Sequence, residues 1–384
     1  MAMTDIADLI EPLVAFRRDI HAHPELGFRE HRTAGRIAEQ LRALGLEVHE
    51  GIGRTGVVGV LRNGTSSRSI GLRADMDALP IEEQTNLPYA STTPGTFHGC
   101  GHDGHVAMLL GAAQHLSRTR HFDGTIHFIF QPAEEGHGGA GEMVREGLFD
   151  RFPCDRVFAL HNWPDLPAGT IATRAGPIMG AADKFEIRLE GRGGHAAIPH
   201  STPDAILGAA ALVQQLNSII SRRIPPTASA VLSITQIHGG HTHNVIPDAV
   251  TVTGTVRTFD LQVQDRIENS IRQIAAGVAQ AGELTVSVDY TRYYPATIND
   301  AEAAQEAFAA AASVGTAILA PDPAFTSEDF AFMLQACKGA YIWLGQARAE
   351  GSAPLHNPHY DFNDDVLELG VRLHVALAER HLAP

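Results

Sequence analysis

Lys184-Phe185-Glu186-Ile187-Arg188-Leu189 alternates charged and apolar side chains, and a strict period of two marks a strand with one buried and one wet face. The same period recurs at Ala230, Leu232 and Ile234, at Val250, Val252 and Val256, and at Leu284, Val286, Val288 and Tyr290. Between these strands, Ile206, Ala210, Val213, Leu216 and Ile220 share one helical face, as do Val263, Ile267, Ile271, Ile274 and Val278. The order β-α-β-β-α-β predicts a ferredoxin-like α+β unit over residues 183–294, an antiparallel sheet with both helices on one side.

Outside that stretch the strands read differently. Residues 57–60, 126–130 and 157–160 are nearly continuous apolar runs, which suit strands covered on both faces. Helical patterns lie around them at 30–44, 103–116 and 139–146. After Pro295 the same style returns, with a helix at 300–312, an apolar strand at 341–344 and a terminal helix from about Asp364. Apolar strands alternating with helices predict an α/β domain, a mixed and mostly parallel sheet flanked by helices, formed by residues 1–182 and 295–384. The ferredoxin-like unit is an insertion in it, with hinges expected at 181–184 and near Pro295.

With 384 residues, each of the two domains can bury its own core. The formal charge of −15 comes with scattered rather than clustered Lys and Arg, which excludes the basic footprint a nucleic-acid surface needs. Cys100, Cys154 and Cys337 are odd in number and far apart, so a disulfide framework is not expected and a reducing, cytoplasmic compartment is. Met1-Ala2-Met3-Thr4-Asp5 has neither a basic region nor an apolar core of a leader, and no apolar run is long enough to span a bilayer.

The chemistry concentrates in His98-Gly99-Cys100-Gly101-His102-Asp103-Gly104-His105, three imidazoles, a thiol and a carboxylate within one short stretch. These side-chain types bind divalent transition metals. A Cys-Gly-His triplet alone fits a simple turn as well as a metal loop. Gln131-Pro132-Ala133-Glu134-Glu135 supplies what is missing: adjacent residues leaving a strand point to opposite sides, so one carboxylate can bind metal while its neighbour faces water. His161 is expected to end another apolar strand at the same sheet edge, where open α/β sheets bind ligands. His356 lies in a polar loop with His359 as its rival. Asp75 and Asp77 are suited to orienting an imidazole.

Four segments, Arg73-Ala74-Asp75-Met76-Asp77-Ala78-Leu79-Pro80, the His98–Asp103 stretch, Gln131–Glu135 and Gly191-Arg192-Gly193-Gly194-His195-Ala196-Ala197, resemble the signatures of the M20 metallopeptidase family, and within it the amidohydrolase branch. Asn244-Val245-Ile246-Pro247-Asp248, Ser327-Glu328-Asp329-Phe330 and Leu355-His356-Asn357 continue the resemblance in order along nearly the whole chain.

The resemblance implies a metal-dependent amidohydrolase that cleaves N-acyl-L-amino acids to a carboxylic acid and a free amino acid. It implies two divalent ions per subunit, Zn, Mn, Co or Ni, held by Cys100, His102, Glu135, His161 and His356, with Glu134 as general base and acid. His195 would help polarise the substrate carbonyl by reaching the site of the partner subunit, Asn244 would contact the scissile group and Arg257 the substrate carboxylate. A homodimer or higher oligomer through the inserted satellite domain is also implied. His21 and His23 fall in a family segment that carries no ligands. His241 and His243 depart from the family pattern before Asn244. The alternatives are a dipeptidase or carboxypeptidase of the same fold, and a catalytically silent metal-dependent binding protein; the presence of Glu134 speaks against the last.

Overall fold

The computed structural model describes residues 6–384; the reading of Met1–Asp5 as no leader lies outside the described residues. The chain begins with α1 (Ala7–Ala22) and α2 (His31–Ala43), then β1 (Glu47–Ile52), β2 (Gly56–Asn63) and β3 (Ser69–Asp75). A long loop leads to α3 (His102–Thr119) and β4 (Gly124–Gln131), then the short helices α4 (Glu134–His137), α5 (Gly139–Arg145) and α6 (Leu148–Arg151). β5 (Arg156–Pro167), β6 (Thr170–Thr173) and β7 (Gly176–Met179) follow. The middle of the chain holds β8 (Ala181–Glu190), β9 (Gly194–His195), α7 (Ala205–Arg223), β10 (Ala230–His238), β11 (Val245–Ile246), β12 (Ala249–Thr258), α8 (Leu261–Ala281) and β13 (Thr285–Tyr294). It closes with β14 (Thr297–Asn299), α9 (Ala301–Val314), β15 (Thr316–Leu319), α10 (Ala331–Ala336), β16 (Gly339–Ala347) and α11 (Leu367–His381).

Two compact units emerge. The first takes the residues up to Ile178, Ile298–Asp322 and Asp329–Pro384. Its eight-stranded sheet has the order β1-β2-β4-β3-β5-β16-β6-β15. The inner strands β4, β3, β5 and β16 run parallel to one another, and every residue of β3 is buried, the condition that makes such strands read as unbroken apolar runs. β1, β2 and β6 join antiparallel to their inward neighbours. Helices α1, α3 and α11 pack together through Leu13, Met108, Leu109, Leu116, Val371 and Leu377. No helix among the described residues is long and apolar enough to cross a membrane.

The second unit is Met179–Thr297 with Pro323–Glu328. Its sheet order β10-β12-β8-β13 is antiparallel throughout, the ferredoxin-like arrangement. Phe185, Ile187 and Leu189 of β8 bury against Leu212 and Leu216 of α7 and Ile267 and Ile271 of α8. Asp204 caps α7 by accepting from the amides of Ile206 and Leu207 at 2.9 and 3.0 Å, and Asp260 caps α8 at Val263, each satisfying amides a helix start leaves open.

The boundaries differ from the 183–294 expected, for local reasons. Gly180 donates to the carbonyls of Ala324 and Thr326, both at 2.9 Å, and Phe259 packs on Phe325, which brings 323–328 into this unit. Residues 181–184 are no hinge: they lie inside β8, paired with β12 on one side and β13 on the other.

Candidate metal centre

Three loops of the first unit, after β3, β4 and β16, converge with strand β5 at the carboxyl ends of its parallel strands, the first of them contributing at both its ends. The first, after β3, carries Asp75 as the last strand residue and Asp77 two further on. Its far end carries Cys100 and delivers His102 as the first residue of α3. Gly101 between them has φ 87°, and a Cβ there would stand 2.5 Å from the Tyr360 hydroxyl and 2.6 Å from Asn162 Nδ2; only glycine fits this tight turn.

His102 is fixed by Asp77. Its Nδ1 donates to the Asp77 carbonyl at 2.9 Å and lies 3.2 Å from Asp77 Oδ1, which leaves Nε2 as the nitrogen whose proton a metal would replace. That Nε2 is buried and has no hydrogen-bond partner among the described residues. Asp77 Oδ2 accepts from the Glu135 amide at 3.0 Å, so one carboxylate orients both neighbours.

Glu134 and Glu135 do not leave a strand by simple alternation, as the sequence suggested. β4 ends at Gln131, Ala133 adopts φ 54°, and Glu135 is non-helical at φ −70°, ψ 78° inside a kinked turn. The kink, not a pleat, separates the two carboxylates. Glu135 Oε1 is buried without a hydrogen bond, although His356 Nε2 approaches it to 3.2 Å outside hydrogen-bonding geometry. Buried Glu134 accepts from the Asp329 amide at 3.3 Å.

His161 does not end its strand either: β5 runs on to Pro167 because β16 continues alongside it. Its Nδ1 donates to the Asn162 carbonyl at 2.7 Å, and its Nε2 faces Cys100 Sγ at 3.5 Å. His356, at φ 63°, has its amide on the Gly99 carbonyl at 2.8 Å, while the rival His359 turns to the Gln84 carbonyl at 2.9 Å. Cys100, His102 and Glu135 offer donor atoms within 4.8 Å of one another. The contacts Cys100–His161 and Glu135–His356 join the remaining two imidazoles to that trio.

The electrostatics are those of a site short of positive charge. Burial and the carboxylates of Glu135, Glu134 and Asp75 hold the Cys100 thiol well above its usual range. Burial opposes charge on His102, yet Asp75 and Asp77 push it up to about 10. Burial together with neighbouring His105 keeps His161 well below the usual imidazole value. Buried thiol, imidazole and carboxylate donors, with His102 Nε2 and Glu135 Oε1 making no hydrogen bond, fit divalent cations in both chemistry and charge.

Three supporting residues went unassigned in the sequence. His105 stands one helical turn from His102, with Nδ1 2.5 Å from Asp75 Oδ1 and Nε2 accepting from the Asn162 amide at 3.1 Å; its spacing of three from His102 was the available signal. Burial raises the cost of charge on Asp75, but Arg73, His102 and His105 hold its carboxyl well below the usual range. Arg73 links Asp75, at 2.8 Å, to Asp329, at 3.2 Å, the residue whose amide meets Glu134.

The remaining expected residues lie in the second unit. Exposed His195 pairs opposite Val245, and the Ala196 amide meets the Asn244 carbonyl at 3.1 Å, so His195 and Asn244 are neighbours. Arg257 is elsewhere, on β12, bonded to Thr255 Oγ1 and to the Val256 carbonyl. It lines a cavity of about 300 Å³ with Asp183, Lys184 and Tyr293. His241, with His238 and Asp248, lines another of about 530 Å³.

Residues 71–380 match the profile of Peptidase family M20/M25/M40, and the chain belongs to that family. It is 41% identical to a hippurate hydrolase of Campylobacter jejuni, over 98% of each chain. It is 38% identical to thermostable carboxypeptidase 1 of Saccharolobus solfataricus, over 97% of this chain and 96% of that one, and 37% identical to an N-acetylcysteine deacetylase of Bacillus subtilis, over 95% and 96%. The crystal structure of the YxeP protein of Bacillus subtilis, a dinuclear metal-binding peptidase of the M20 family, superposes with a TM-score of 0.87 at 34% identity, over 98% of this chain and 99% of that one.

Proposed function

We propose that this chain is a metal-dependent amidohydrolase that hydrolyses the amide bond of N-acyl-L-amino acids, releasing a carboxylic acid and a free amino acid. The observation that carries the reading is the pair of orphaned buried atoms, His102 Nε2 and Glu135 Oε1, beside Cys100, with a second buried carboxylate, Glu134, next in sequence. A binding site alone has no use for that additional acid. The hippurate hydrolase and N-acetylcysteine deacetylase relatives support the substrate class.

Cys100, His102, Glu135, His161 and His356 would hold two divalent ions, Zn, Mn, Co or Ni. When bound, such ions acidify water and polarise a carbonyl oxygen. Glu134 takes the proton of the attacking water and returns it to the leaving nitrogen, with its carboxylate steadied by the Asp329 amide. Asp77 keeps His102 in the tautomer that presents Nε2, and Asp75 fixes His105 beside it. His195 polarises the carbonyl, Asn244 contacts the scissile group and Arg257 takes the substrate carboxylate through its guanidinium fork. The working form is a cytoplasmic homodimer, or a larger oligomer built through the second unit.

The test is a substrate panel on protein reconstituted separately with Mn, Co, Ni and Zn. N-acetyl and N-benzoyl amino acids should be cleaved and unblocked dipeptides should not. Cleavage of unblocked dipeptides alone would favour the carboxypeptidase-like reading that the Saccharolobus relative represents. Sedimentation of the same preparations checks the oligomer.

A further inference from the structure

The chain has two tryptophans, and they stack on each other. The indoles of Trp163 and Trp343 lie with ring centroids 4.3 Å apart and planes 16° from parallel. Their place in the sheet is tied to the metal centre. Trp163 follows His161 by two residues on β5, and residues two apart on a strand project from the same face, about 6.6 Å apart along it. Trp343 is the partner of His161 in the parallel β5–β16 register, and glycine, Gly345, is the partner of Trp163. Both indoles therefore share the sheet face of His161, with no side chain on the residue opposite Trp163.

The two rings differ in exposure. Trp343 is 5% exposed, whereas Trp163 is only partly buried. Trp343 backs Trp163, which keeps part of its surface exposed. Trp343 Nε1 is buried and finds no acceptor among the described residues, although buried indole N–H groups usually have one. A stacked, partly exposed aromatic plate one side-chain repeat from a metal ligand is the equipment for holding a flat acyl group.

We propose that Trp163, backed by Trp343, is the acyl-group platform of this enzyme and selects aromatic acyl groups over small aliphatic ones. This rests on the amidohydrolase reading above and adds the substrate class to it. Offset ring stacking of this kind corresponds to roughly a 3- to 10-fold preference beyond simple area burial.

The decisive comparison keeps the amino acid constant. The metal-loaded wild-type chain, Trp163→Phe and Trp163→Ala are assayed on N-benzoylglycine and N-acetylglycine. The benzoyl-to-acetyl ratio of kcat/KM should fall roughly tenfold in Trp163→Ala, mostly through KM, and largely recover in Trp163→Phe. An unchanged ratio in Trp163→Ala overturns the proposal. A second measurement needs no turnover. In Trp343→Phe, Trp163 is the sole indole, and benzoate should shift or quench its emission saturably at concentrations where acetate does not. Absence of a benzoate response overturns the platform even if the enzyme hydrolyses amides. A benzoate response in a chain that cleaves neither substrate keeps the platform and rejects the amidohydrolase reading instead.

Discussion

His102 and Asp103 are adjacent in sequence, yet they serve two opposite kinds of buried charge. Asp103 Oδ2 meets Arg17 at 2.9 Å and His21 at 2.8 Å, and Arg17 also reaches Asp364 at 2.6 Å. The chain supplies its own cations there. Around His102 the anions are Asp75, Asp77, Glu135 and Cys100 if ionised; Arg73, which the geometry places among them, is committed to Asp75 and Asp329. A cluster closed by guanidinium and imidazolium is structural glue, whereas a cluster left short of positive charge is prepared for a cation from solution. Both are imidazole–carboxylate groups of the same burial, and charge balance is what distinguishes them.

The comparison can be broken most directly at Glu134. Glu134→Gln should lower kcat by roughly 10²- to 10⁴-fold while elemental analysis finds the metal content of the wild type; a metal-loaded variant with wild-type turnover removes Glu134 from the chemistry. In the closed cluster, Arg17→Met should instead cost about 3 kcal/mol of stability by leaving buried Asp103 with His21 as its remaining cationic partner, read from the denaturant midpoint, with metal stoichiometry of the folded protein unchanged. Loss of metal in that variant would show that the two clusters are not separable. Stripping metal with a chelator should remove about 2.7 kcal/mol at a free metal concentration one hundred times Kd, and this loss should shrink in Cys100→Ser. If the thermal shift on chelation is identical in Cys100→Ser, the thiolate is not a ligand.

The pH response sharpens the contrast at lower amplitude. Burial opposes charge on His21, but Asp103 pushes it up to about 9 from 6.5. Its contribution is therefore complete below about pH 6.5 and lost as pH rises through 9, an effect on the order of 3 kcal/mol. Urea titrations of metal-free protein across that window should show the decline, and His21→Asn should reduce it, leaving the part that the similarly raised His102 contributes.

What could be read from the sequence follows from period and length. β8 and β12 declare themselves by alternation, and β2, β4, β5 and β16 by nearly continuous apolar runs. α1 was missed although Leu9, Leu13, Arg17 and Ile20 all bury, because Pro12 interrupts the pattern and a buried arginine does not look like core. β6 and β15, of four residues each, are too short to show a period. The metal-ligand candidates were legible because donor types clustered within short motifs. Their supports were not: His105 reads as another ligand until Asp75 and the Asn162 amide are seen to occupy it, and nothing in Arg73 or Asp329 announces a partner more than 250 positions away in the chain. The two tryptophans carry no local signal at all, since only the β5–β16 register brings them together.

Gly101 sets a bound on how this centre can change. Its left-handed backbone and its closeness to Tyr360 and Asn162 mean that the spacer between Cys100 and His102 has no room to be retuned. Adaptation to a different ion, in nature or in a directed-evolution library, has to proceed by exchanging a donor outright, so the centre is built to switch metals in steps rather than to drift between them.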